Sequence, residues 1–293
     1  MTEQTTLKQI HVSATLDVES VEHELDELWK EQAGSGEHDE EGATMRARVL
    51  NLLVYVPAMN EANEVSETLA QVTMAHPCRA LVAVAEEREA DLDIEMFVSA
   101  HCRPSSAAGG RQLCCEQVTL AARGRFTVEL PSAATPLLIP DLTTFLWWRD
   151  DFRPEDPVFK GLSRAATRLL IDSALSPDPL DDLRSLARSF KGGRPARPGV
   201  SDFNWSRLTS WRGLLANFYD VREYREALDR LTRVRVEYAA GLTGAPDSIA
   251  PQALMIAGWL ASCLKWEVRE KAPARAAGGA AHTSREVVIE KGG

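Results

Sequence analysis

The sequence predicts an α/β protein: an N-terminal Rossmann-like mixed sheet with flanking helices, plus a smaller α+β C-terminal domain. Three observations predict it. Two uninterrupted apolar runs, VLNLLVYV at 49–56 and ALVAVA at 80–85, bracket a helical pattern over 60–75, and such runs suit strands buried on both faces. Strand, helix and strand in that order imply a right-handed crossover and a parallel pair. Two further strand-like segments, 94–102 and 113–122, flank a stretch holding Pro104, Ser105, Ser106, Gly109 and Gly110, which is the composition of a hairpin connection. A hairpin added to a parallel pair makes the sheet mixed.

The remaining elements follow from the same patterns. Residues 15–31 read as a helix, with Leu16, Val21, Leu25 and Leu28 at helical spacing and seven carboxylates over the rest. It is either a solvated surface helix or an acidic arm that docks on a basic partner, and a Gly- and Ser-containing linker over 34–42 follows it. A helix over 126–138 ends before Pro140. A strand (143–148), a helix (156–165) and a strand (168–172) form a second β-α-β unit, followed by a helix over 179–190. KGGRPARPG at 191–199 cannot continue a helix and is placed as the domain boundary, with a cut near Arg153 as the alternative. The expected domains are therefore 1–42, an acidic helix and mobile linker; 43–195, the α/β domain; and 196–293, the α+β domain. In the last, 204–219 reads as one helix through Trp205, Leu208, Trp211, Leu215 and Phe218. A helix over 222–231, a strand over 233–238 and a helix over 251–264 follow. Short strands at 266–269 and 286–290 are expected to pair across a mobile, Gly- and Ala-rich loop at 271–284.

Composition excludes several classes. The chain has 293 residues, 44% of them hydrophobic, and a formal net charge of -10. An acidic surface repels phosphate backbones, so no nucleic acid is expected as partner. Residues 1–8 are polar with no apolar stretch after them, and no run approaches the roughly 20 residues of a membrane helix. A soluble, cytoplasmic protein without a membrane partner is the expectation. The five cysteines, an odd number without a secretory signal, point to reduced thiols.

Chemistry-bearing motifs are sparse. No GxxxxGK[ST], GxGxxG, GxSxG or HExxH pattern occurs, and Pro57-Ala58-Met59-Asn60 after the first buried strand lacks the glycines that let backbone approach a pyrophosphate. His76 and Arg79 are candidate anion contacts. The alternative has His76 at a helix end and Arg79 paired with a carboxylate. His101, Cys102, Cys114 and Cys115 resemble metal ligands, but adjacent strand residues point to opposite faces. At most two could then converge, short of the four a structural zinc requires, so no metal is expected. Cys102, Cys114 and Cys115 stay as candidate redox thiols, either buried and reduced or joined by a hairpin disulfide from Cys102 to Cys114 or Cys115. Tryptophans 147, 148, 205, 211, 259 and 266 form an aromatic-rich set. They serve the core or an interface, and Trp beside Arg is the composition of interface hot spots.

Five segments resemble one family. They are His76-Pro77-Cys78-Arg79 leading into a strand; Cys114-Cys115-Glu116-Gln117-Val118 after Gly109-Gly110-Arg111; PLLIPDLTTFLWW from Pro136 to Trp148; DFNWSRLTSWR from Asp202 to Arg212; and GWLASCLKW from Gly258 to Trp266. Together, in this order, they resemble the glucose-6-phosphate dehydrogenase assembly protein family (OpcA), over residues 46–290. Cys78 departs from the serine that the pattern carries. The resemblance implies a non-catalytic helper without a cofactor, an assembly factor and allosteric activator whose partner is glucose-6-phosphate dehydrogenase, in the oxidative pentose phosphate pathway. Phe145, Trp147, Trp148, Arg207, Trp211 and Arg212 are the candidate partner contacts. Two rivals stand beside it: a metabolite-sensing α/β binding module, and a stand-alone sugar-phosphate enzyme using His76, Arg79 and Asp141.

Overall fold

The computed structural model describes residues 4–10, 18–34, 45–46, 48–104, 112–190, 198–239, 249–266 and 284–290. The chain divides into two compact units, Met1–Leu170 with Gly193–Val200, and Ile171–Gly192 with Ser201–Gly293.

The first unit is built on a mixed sheet. Among the described residues its strands are β1 (Gln4–Ile10), β2 (Met45–Arg46), β3 (Leu50–Val56), β4 (Cys78–Glu86), β5 (Leu92–Pro104), β6 (Gln112–Arg123), β7 (Thr143–Trp148), β8 (Arg168–Ile171) and β9 (Gly199–Asp202). They lie in the order β1-β5-β6-β4-β3-β7-β8-β9, with β2 beside β6; the last residues of β8 and β9 fall in the second unit. The apolar runs become the central parallel strands β3 and β4, Leu50 opposite Cys78 and Val56 opposite Val84. β7 flanks β3 in parallel on its other side, and β5 and β6 form the expected antiparallel hairpin. β1 was not anticipated, because its sequence QTTLKQI carries no strong strand signal; pairing along β5 makes it extended.

Side-chain alternation divides the core. Leu52, Val54, Val56, Ala80, Val82 and Val84 pack against Val65 and Leu69 of helix α2 (Met59–Ala75). Helix α1 (Val18–Gly34) buries Val21, Leu25 and Leu28, with Glu19 and Asp26 exposed on its outer side. Of the linker expected over 34–42, Gly34 is the last residue of α1 and 35–42 lie outside the described residues. The helix expected over 126–138 is three short pieces, the 3₁₀ turn Gly124–Glu129, α3 (Leu130–Ala134) and the 3₁₀ turn Thr135–Leu137. Pro131 and Pro136 each sit at the start of a new piece, where the missing N–H does no harm. Helix α4 (Pro157–Ala165) completes the second β-α-β unit; the Asp156 carboxylate caps it, accepting from Val158 N at 2.7 Å and Phe159 N at 2.9 Å.

The second unit holds helices α5 (Pro179–Phe190), α6 (Phe203–Arg207), α7 (Thr209–Asp220), α8 (Arg222–Arg230) and α9 (Pro251–Leu264), and strands β10 (Arg233–Ala239) and β11 (Ser284–Glu290). β10 pairs antiparallel with β11, Val234 opposite Ile289. The sequence did not anticipate this partner for 286–290, and residues 267–269 of the strand expected over 266–269 lie outside the described residues. Val234, Val236 and Val287 pack with Ile289 against Ala257 and Ala261, so small residues on α9 let it approach the ribbon closely. Trp266 packs on this cluster, and 267–283 lie outside the described residues. Among the described residues no helix is long and apolar enough to cross a membrane.

Candidate functional site

Among the described residues of the second unit, exposed large apolar side chains cluster where a single helix was expected over 204–219. The chain breaks at Leu208 (φ -82, ψ 0), which is buried, and restarts as α7. A buried polar cluster holds α6 in place. The Asp202 carboxylate accepts from Asn204 N at 2.8 Å and Ser173 N at 3.3 Å. The fully buried Asn204 donates to Ser173 Oγ at 3.0 Å, and its Oδ1 accepts from Arg207 and from Gln252 of α9, each at 3.0 Å. Arg207 also forms a two-pronged pair with Asp172, both bonds 2.7 Å. Burial pushes the Asp202 carboxyl above its ordinary pKa.

On this base, the Arg212 guanidinium lies over the Trp205 indole, 3.6 Å from the ring centroid. It donates to Trp205 O at 2.5 Å and to Thr209 Oγ1 at 3.2 Å. Stacking and two hydrogen bonds fix a side chain that otherwise has many rotamers.

Beside it, α7 turns an apolar stripe outward. Trp211, Leu214 and Phe218, at helical spacing, are 64%, 65% and 53% exposed. Phe218 stacks on Tyr224 of α8 with centroids 4.6 Å apart, and the exposed Val221 lies in the turn between the helices. Neither α7 nor α8 contains a fully buried residue. Covering side chains of this kind is worth about 1.5–3 kcal/mol each, and exposed contiguous apolar patches mark interaction sites.

The other candidate contacts lie in the first unit. Phe145 and Trp147 are half-buried against the α2 side of the sheet. Trp148 points to the opposite side and is 3% exposed, stacked on Tyr55 and edge-on to Phe159. Its indole Nε1 donates to Asp151 O at 3.1 Å. Trp148 is thus a core residue, because strand alternation turns it inward.

The candidate anion pair is not assembled. His76 is exposed at the end of α2. Arg79 is buried, with Nε on Glu116 Oε1 at 2.5 Å, Nη1 on Glu22 Oε1 at 2.5 Å and on Leu137 O at 3.0 Å, and Nη2 on Glu22 Oε2 at 3.0 Å. Burial alone would lower its pKa, but Glu22 and Glu116 outweigh that and raise it. Its guanidinium is engaged within the fold. The β5–β6 register places Cys102 opposite Cys114 and His101 opposite Cys115, while the side chains of these four lie outside the described residues.

At the start of α2, where a nucleotide-binding fold would place a phosphate, an internal carboxylate stands instead. Glu86 Oε1 accepts from Met59 N at 3.2 Å, and Glu86 Oε2 from Arg123 Nε at 2.7 Å. The Arg123 bond holds the Glu86 carboxyl below its ordinary pKa. Nearby, burial raises Glu61 and Asp150.

Sequence reasoning singled out Trp211 and Arg212 and missed Leu214, Phe218, Tyr224 and the stacking of Arg212 on Trp205. The available signal was an α7 apolar over more of its circumference than one buried stripe needs.

Comparison with known proteins places this architecture. The family model for the N-terminal domain of a glucose-6-phosphate dehydrogenase subunit matches residues 70–188, and the family model for the C-terminal domain of the same protein matches residues 198–291. A Nostoc punctiforme protein named OxPP cycle protein OpcA is 32% identical over 197 residues, covering 67% of this chain and 40% of its own length. Proteins of the same name from Synechocystis sp. and Synechococcus elongatus are 29% and 30% identical over 206 and 196 residues, covering 70% and 67% of this chain and 40% and 41% of their own lengths. The chain thus spans about two-fifths of the length of these relatives. With both family domains matched in order, the chain belongs to the OpcA family of glucose-6-phosphate dehydrogenase assembly proteins.

Proposed function

We propose that this chain is a non-catalytic binding protein that docks on glucose-6-phosphate dehydrogenase and acts as its assembly factor and allosteric activator. The cytoplasmic setting expected from the composition belongs to the same proposal. The observation that carries it is the solvent-facing stripe Trp211, Leu214 and Phe218 beside the ordered Arg212, a composition of interface hot spots. The ends of the parallel strands support it. Glu86 occupies the α2 N-terminus and Arg79 is consumed by Glu22 and Glu116, so two anchoring points a sugar-phosphate enzyme would use, the helix start and the buried guanidinium, are committed to the fold.

An activator acts by binding one state of its target more tightly than another. A tenfold population shift requires about 1.4 kcal/mol of differential affinity, and burial of two or three of these side chains exceeds that. The test is co-purification with the same organism's dehydrogenase, followed by its substrate saturation curve with and without this chain. A lowered half-saturation point or a changed oligomeric state is expected. A dehydrogenase indifferent to the chain in both respects would overturn the proposal.

A further inference from the structure

We infer that the Arg212 guanidinium is a specificity contact, and that the dehydrogenase surface seated on α6 and α7 presents a carboxylate flanked by apolar side chains. This rests on the binding reading above and adds the partner's chemistry. Between residues 203 and 219 the sequence holds two formal charges, Arg207 and Arg212, and no carboxylate. Arg207 is matched by Asp172 within its own unit. Arg212 is held only by a π face, a carbonyl and a hydroxyl, and among the described residues no carboxylate pairs with it. It lies beside Trp205, next in sequence to the exposed Trp211.

A guanidinium has five N–H donors, and two contacts leave others free. Stacking fixes the plane of the group before a partner arrives, which lowers the ordering cost of a two-pronged bond to a planar carboxylate. An apolar face with one unmatched positive charge disfavours purely apolar partners, which would bury that charge unpaired, and selects a surface that supplies the counter-charge. Lysine could supply the charge but not the planar fork.

The experiment measures dehydrogenase binding at low and high salt for the unmodified chain, Arg212→Lys, Arg212→Gln and Trp211→Ala, with circular dichroism and thermal midpoints as folding controls. Unmodified chain should bind more weakly at high salt. Arg212→Lys and Arg212→Gln should each weaken binding about tenfold or more, and Arg212→Gln should flatten the salt dependence. Trp211→Ala should weaken binding and keep the salt slope. Arg212→Glu should be rescued by changing one dehydrogenase carboxylate to arginine. If both Arg212 variants bind like the unmodified chain while Trp211→Ala does not, the inference fails and the binding reading stands. If the unmodified chain does not bind, both fail.

Discussion

Trp148 lies flat against Tyr55, ring centroids 3.8 Å apart and planes 6° from parallel. The two are opposite each other in the β3–β7 register, so the stack ties the second parallel strand pair together on one face of the sheet. Trp148→Ala should therefore cost about 3–5 kcal/mol of stability. Trp211→Ala, which removes an exposed ring, should stay within about 0.5 kcal/mol. Urea denaturation of both variants checks the contrast; equal losses would mean that Trp211 is part of a core.

Arg79 links α1 to β4 and β6 through Glu22 and Glu116, and Arg48 reaches the other oxygen of Glu116 at 2.6 Å. Replacing Arg79 by methionine leaves one oxygen of the buried Glu116 carboxylate without its partner while Arg48 keeps the other, with an expected loss of about 1–3 kcal/mol. Glu22→Gln, at the more exposed end, should cost about 1 kcal/mol or less. Hydrogen exchange supplies the second readout. In both variants the amides of Val18–Gly34 should lose protection before those of β3 and β4 do.

Asn204 spends its side chain on three partners, Ser173, Arg207 and Gln252. Asn204→Ala leaves buried groups without partners, and about 1–3 kcal/mol should be lost. Because α6 carries Trp205, dehydrogenase binding should weaken as well, at temperatures where circular dichroism shows the variant folded. A variant that is destabilised but binds normally would separate this cluster from the surface it supports.

The pH dependence of stability has a sign set by Asp202. Burial raises its carboxyl above the ordinary 3.8, and the hydrogen bonds from Ser173 and Asn204 offset only part of this. The folded chain therefore binds that proton more tightly than the unfolded chain. Its contribution is complete below the unfolded pKa and is lost as pH rises through the folded one. Asp202→Asn keeps an N-cap residue and removes the titration. Its thermal midpoint at pH 7 should rise by a few degrees, and its stability should fall less between pH 4 and 7 than that of the unmodified chain.

Much of the fold was legible because burial on two sides and burial on one side write different patterns. LNLLVYV and CRALVAVAE have few polar residues and became the central parallel strands. The stretch from Pro104 to Gly110, rich in Ser and Gly, correctly announced the antiparallel pairing of β5 with β6. The break at Leu208 was not legible, since DFNWSRLTSW has no proline or glycine to announce it. The β10–β11 pairing escaped for another reason. Between its strands lie 44 residues, from Ala239 at the end of one to Ser284 at the start of the other, and no local signal encodes a partner that distant.

By itself the sequence determined the central strands and most of the helices in order, the mixed character of the sheet and the family, because apolar periodicity and motif order are local properties of the chain. Only the tertiary structure decided which aromatic and charged residues face outward. Trp148 and Trp211 are the same residue type beside arginines, yet one is enclosed by Tyr55 and Phe159 and the other is open to solvent. Arg79 and Arg212 differ likewise, one met by two carboxylates and the other by an indole face. Exposure and charge pairing depend on what other segments bring to the spot, and local sequence does not carry that information.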